Sequence, residues 1–120
     1  MQPDWLLDSI DGVERAGALA RREISASIES LERAKGQREA GVSVATIVSD
    51  LEADGAREAR LRAAGAMATY EHAMMVFRVG LVRDLIDRDG LTFTEVGRRI
   101  GVSRQMTARL YRNRARPFAT

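Results

Sequence analysis

The chain has no cysteine, one histidine (His72), one lysine (Lys35) and few aromatics: Trp5, Tyr70, Phe77, Phe93, Tyr111 and Phe118. Each shortage removes a class of explanation. Without cysteine there are no disulfides and no thiolate metal sites, which favours an intracellular location. A single histidine with no cysteine beside it makes neither a metal site nor a nucleophile–base pair. His72 lies within a long helical pattern and reads as a packed or edge residue. The carboxylates are spread along helix surfaces next to arginines, as ion pairs are, and no glycine loop of the phosphate-cradling kind is present. No enzymatic activity, no cofactor and no metal is therefore expected. There is no secretory signal and no uninterrupted apolar run of ~18 residues, so nothing is expected to span a membrane. A cytoplasmic, nucleoid-associated location follows as the expectation.

What the chain has is alanine, arginine and helical periodicity. Its 120 residues suit one domain, or a small domain with a dimerisation element. A thin, alanine-rich set of core residues favours helices that pair with a second chain. The net charge of +2 hides an asymmetry: residues 1–88 hold 12 basic and 15 acidic side chains, a net of −3. Residues 89–120 hold Arg98, Arg99, Arg104, Arg109, Arg112, Arg114 and Arg116 against Asp89 and Glu95, a net of +5. The C-terminal part is thus the electrostatic footprint for a polyanion.

Met1 to Ser9 reads as a short arm or helical turn folded back on the body, with Trp5 in a packing role. A long helix is expected from Asp11, which with Glu14 resembles a capping pair. Ile10, Val13, Gly17, Ala20, Ile24, Ile28 and Leu31 recur at steps of three and four, placing them on one stripe. The stripe is heptad-like. It suits pairing with a second chain through Ile10, Val13, Ile24, Ile28 and Leu31, or a hairpin with the later long helix. Ser43 is expected to cap a short helix, Val44 to Ala53, burying Val44, Ile47, Val48 and Leu51. Ala56 to about Asp89 reads as one long helix with Met67, Tyr70, Met74, Phe77, Leu81 and Leu85 on its stripe, widened by Val79, Val82 and Ile86.

Residues 91–112, LTFTEVGRRIGVSRQMTARLYR, organise the rest. Thr92 can cap a helix, with Glu95 three residues on reaching back to the cap amide, and Leu91 and Val96 forming a hydrophobic staple. Gly101 tolerates the left-handed conformation at a helix end, and Ser103 offers a second cap. Two helices so closely joined must cross steeply, with Val96, Ile100, Val102, Thr107 and Leu110 between them. On a helix starting at Arg104, the side chains of Gln105, Arg109, Arg112 and Arg116 share one face, opposite Thr107, Leu110 and Tyr111.

This stretch resembles the helix-turn-helix of bacterial transcription regulators, including the version in region 4 of sigma factors. Gly97 matches the small residue where the helices touch, Gly101 the turn, Val96, Ile100, Val102 and Leu110 the core, and Ser103-Arg104-Gln105 the opening of a recognition helix. Thr107 departs from it, standing where the family usually has an aliphatic residue. The resemblance covers about a quarter of the chain; with the helical periodicity of the remainder, it implies an all-α fold with an N-terminal helical dimerisation region (1–66), a long connecting helix and a C-terminal trihelical unit (67–120). It implies sequence-specific binding of double-stranded DNA by a small homodimeric transcription regulator. Arg104, Gln105 and Arg109 are the expected base readers. Thr92, Thr94, Ser103, Arg112, Arg114 and Arg116 are the expected phosphate contacts. Nothing in the sequence specifies a small-molecule effector. The alternative is a protein-interaction module that uses the same scaffold to hold a transcription or recombination partner.

Overall fold

The computed structural model describes residues 4–113, and the fold is all-α, with five helices and no strand among the described residues. The helices are α1 (Trp5–Glu39), α2 (Val44–Ala53), α3 (Ala56–Asp87), α4 (Phe93–Ile100) and α5 (Arg104–Arg112). They fall into two compact units. One holds the described residues up to Glu14 and from Glu71 onward; the other is Arg15–Tyr70.

α1 starts at Trp5 rather than at Asp11, so residues 5–9, expected as an arm or a helical turn, belong to the long helix itself. The reason is Asp4, whose Oδ1 accepts from the Leu6 amide at 2.8 Å and the Leu7 amide at 3.2 Å. A carboxylate there satisfies amides that have no partner inside the helix. Asp11 becomes an exposed mid-helix residue.

Within Arg15–Tyr70, α1 and α3 run antiparallel. A Cβ on Gly17 would lie 3.5 Å from Tyr70 Cε1, and Glu23 pairs with Arg62 at 3.2 Å. The side chains buried here are small: Ala16, Ala20 and Ser30 on α1, with Ala59, Ala63 and Ala66 on α3. The large apolar stripe of α1 is turned away from this contact. Ile28 is 47% exposed and Leu31 61%, Ile10 is also exposed, and Val13 and Ile24 are half-buried. The stripe expected on α3 is covered in its second half, where Val79 and Val82 are buried and Leu85 and Ile86 pack against them. Met67 is exposed, while Tyr70, Met74, Phe77, Leu81 and Leu85 are half-buried. Small residues let two helix backbones approach closely and accumulate many weak contacts, so alanine faces can pair in preference to bulkier neighbours.

α2 begins as expected. Ser43 Oγ accepts from the Thr46 amide at 3.2 Å, and Gln37 Nε2 donates to Asp50 Oδ2 at 2.7 Å, tying α2 to the end of α1. Its burial is narrower than expected. Ile47 is buried and Leu51 half-buried, but Val44 and Val48 are exposed. A helix of three turns laid on one groove covers a single row of side chains.

The other unit has a core of Val79, Val82, Val96 and Leu110, with Leu85, Ile86, Leu91, Ile100 and Tyr111 packed around it. Val82 and Val96 are fully buried. The second half of α3 is therefore the beam against which α4 and α5 are set. Trp5 packs on the same helix at Gly80, where a Cβ would come within 2.8 Å of the ring's Cε3.

Candidate nucleic-acid interface

α4 and α5 are held by local chemistry at both ends of a three-residue connection. Thr92 Oγ1 accepts from the Glu95 amide at 3.1 Å and donates to Glu95 Oε1 at 3.1 Å. Glu95 thus reaches the cap's hydroxyl. Leu91 packs against the cluster that contains Val96. Gly101 adopts φ +79°, and the amides of Gly101 and Val102 both donate to Gly97 O at 2.9 Å. A side chain with a Cβ is strained in that conformation. Ser103 Oγ then accepts from the Met106 amide at 3.0 Å, opening α5.

Gly97 lies where the two helices meet. A Cβ there would sit 2.7 Å from Val102 O and 2.9 Å from Thr107 Oγ1. Thr107 is fully buried, and its hydroxyl donates to Ser103 O at 2.9 Å. The polar atom at this core position is satisfied one turn back in its own helix, so a threonine fits where an aliphatic residue was expected.

α5 has two faces. Thr107, Ala108 and Leu110 are buried, while Arg104, Gln105, Met106, Arg109 and Arg112 are exposed. Arg104, Gln105, Ala108, Arg109, Arg112 and Asn113 line one shallow groove that contains no carboxylate. Four of the residues expected to meet DNA are thus brought together. Thr94 is exposed in the first turn of α4. The Thr92 and Ser103 hydroxyls are engaged as caps. Arg114 and Arg116 lie outside the described residues.

The end of α5 is clamped to α3 by residues that sequence reading did not single out. Arg83 Nε donates to Tyr111 O at 3.4 Å and Arg83 Nη2 to Asn113 O. A guanidinium there meets carbonyls that lack helical partners and opposes the negative end of the helix dipole. The Tyr111 hydroxyl donates to Asp87 Oδ1 at 2.7 Å, and the Phe93 and Tyr111 rings lie 5.6 Å apart at 52°. Arg83 and Asp87, four apart on α3, carry the signal of an ordinary surface pair; their partners lie more than 20 residues downstream.

The hydrogen bond to Asp87, together with that carboxylate's charge and some burial, raises the Tyr111 pKa above its ordinary 10.0, against a lowering by Arg83. As pH rises past 10.0, the unfolded chain loses this phenolic proton before the folded chain does. The stabilisation is therefore intact below 10.0 and fades as pH climbs through the folded value. Urea melts from pH 9 to 11 should show stability falling over that window. Tyr111→Phe should flatten this part of the profile; an unchanged slope would show that the bond to Asp87 does not set it.

Among the described residues no helix is long and apolar enough to cross a membrane, and no cluster of histidine, aspartate and glutamate is arranged to hold a metal ion. Compared with protein-family models, with curated proteins and with solved structures, the chain matches none of them.

Proposed function

We propose that this chain is a sequence-specific double-stranded DNA-binding protein. In this reading it is a small homodimeric transcription regulator of the helix-turn-helix kind, and α5 enters the major groove. The observation that carries it is the exposed face of α5, where Arg104, Gln105, Arg109 and Arg112 line one carboxylate-free groove. Behind them a packed α4 and the Arg83–Asp87 clamp hold the helix rigid. Rigid presentation lowers the entropy cost of binding.

The roles follow from position. Arg104 and Gln105 sit in the first turn, which approaches the base edges when such a helix lies in the major groove. Arginine pairs bidentately with guanine, and glutamine with adenine. Arg109 is one turn further along the same face. Arg112, Arg114 and Arg116 are assigned to phosphates, as are Thr94 and the amides at the helix starts capped by Thr92 and Ser103. The first turn of α5 contains no acidic residue, so its dipole attracts a phosphate unopposed.

Selection of binding sites from random duplex DNA tests this. The expected product is a palindromic consensus with half-sites about one helical turn, ~34 Å, apart. No enrichment at low ionic strength would overturn the reading and favour the protein-interaction alternative.

A further inference from the structure

We propose that a second copy of this chain docks on Arg15–Tyr70 over the face formed by Ile28 and Leu31 of α1 and Val44 and Val48 of α2. The proposal deepens the homodimer reading above and rests on it for the identity of the partner.

The unit is packed in an unusual sense. Its α1–α3 contact uses alanine, glycine and serine, and several of its large aliphatic side chains are left exposed while Ile47 is buried. Leu31 and Val44 are each 61% exposed, and Ile28 and Val48 are each 47% exposed. Ile28 and Leu31 are three apart on α1, and Val44 and Val48 four apart on α2, so each pair projects from one side of its helix. Leu31 and Val48 also border the same groove, of about 310 Å³, whose walls include the small residues Ser27, Ser30 and Ala56. Leu31 and Val48 thus stand beside a recess, with Ile28 three residues before Leu31 on α1 and Val44 one turn before Val48 on α2.

That combination favours a copy of the same chain. A two-fold contact uses one surface twice, so this surface must carry both the shape that inserts and the shape that receives. It must also be electrostatically compatible with itself. The groove has Glu52 on the α2 side and Arg57 and Arg60 on the α3 side, all exposed, so a two-fold axis gives each acidic rim a basic rim to face. An acidic or basic partner of single sign would meet one rim unfavourably. Exposed aliphatic side chains in a mixed-charge border match an interface with an apolar centre and a polar rim.

Sedimentation equilibrium of the full chain, without DNA, provides the test. The wild type is expected to be dimeric at about 10 µM. Leu31→Glu and Val48→Glu should each raise the dissociation constant roughly 100-fold, since a two-fold interface meets each substitution twice. Leu19→Glu is the control. Leu19 is also exposed but lies about a third of a turn or more around α1 from Ile28 and Leu31, and its substitution should change the constant by no more than about twofold. Circular dichroism should show native helicity in all three variants. A wild type that stays monomeric at about 100 µM overturns the proposal. So does an equal response to the three substitutions. Duplex retardation, read separately, keeps the two conclusions apart. A monomer that binds duplex removes this surface and leaves DNA recognition standing. A Leu31-dependent dimer without duplex affinity does the reverse.

Discussion

Gly97→Val is expected to unfold the α4–α5 pair at temperatures the wild type tolerates and to abolish duplex binding with it. Even the first carbon of a side chain would stand 2.7 Å from Val102 O, a backbone atom in the turn, and 2.9 Å from Thr107 Oγ1. Neither can step aside cheaply. Moving Val102 opens the turn fixed by its hydrogen bond to Gly97 O, and moving Thr107 breaks its bond to Ser103 O. Overpacking of this kind costs about 1–3 kcal/mol, occasionally more, and the second and third carbons of valine put it at the upper end. A unit of this size has only about 3–8 kcal/mol of stability in total. A loss of about 3 kcal/mol lowers the midpoint by roughly 15 °C or more. Gly97→Ala should lose less, because better helix propensity returns about 1 kcal/mol. Gly65→Ala is the internal contrast: a Cβ there meets nothing within 4 Å, so the same change should stabilise by about 0.5–1 kcal/mol. Thermal melts of the three variants decide the matter. A Gly97→Val midpoint within a few degrees of wild type would mean that the helices can separate without cost.

The parts of this arrangement legible in the sequence were those written within three or four residues. Ser43 with Thr46, Thr92 with Glu95, Gly101, and Ser103 with Met106 each report a helix end through a bond spanning three or four positions, and the bounds of α2 and α4–α5 followed from them. Which side a long helix buries was not legible. Hydropathy ranks Ile28, Leu31 and Met67 above Ala16, Ala20 and Ala63, yet close approach of α1 and α3 favours the smaller side chains. Ile28, Leu31 and Met67 were accordingly left exposed, while Ala20, Val79 and Val82 of the same stripes were buried. Val44 and Val48 failed for a related reason: periodicity marks every apolar residue on one side of a short helix, while the groove beneath covers only Ile47 and part of Leu51. The Arg83–Asp87 clamp lay beyond reach because its partners, Tyr111 and Asn113, are distant in sequence. The exposed α5 residues, by contrast, were placed once the cap at Ser103 set the phase of the helix. Four positions then follow at 100° per residue.

The basic face of α5 predicts a steep and separable dependence on salt. If each copy places Arg112, Arg114 and Arg116 on phosphates, a dimer neutralises about six, and the slope of log K against log salt is about −5. Between 50 and 200 mM salt the affinity should therefore fall roughly 1000-fold. Arg112→Gln removes one charge per copy, so the slope should flatten by nearly 2 while the preferred sequence stays the same. Arg104→Ala and Gln105→Ala should act in another way. Each removes a pairing worth about 1–3 kcal/mol of discrimination against the wrong base, so the consensus should relax at one position in each half-site. For Gln105→Ala, which removes no charge, the salt slope should not change. Arg83→Met offers a third pattern, since its guanidinium holds the Tyr111 and Asn113 carbonyls and does not belong to the groove of α5. It should weaken binding to every sequence alike by loosening the end of the helix, without changing the consensus. Fluorescence anisotropy titrations on consensus and scrambled duplexes at four salt concentrations separate the three. Should Gln105→Ala and Arg112→Gln alter slope and consensus to the same degree, α5 would not lie in the groove with its first turn toward the bases.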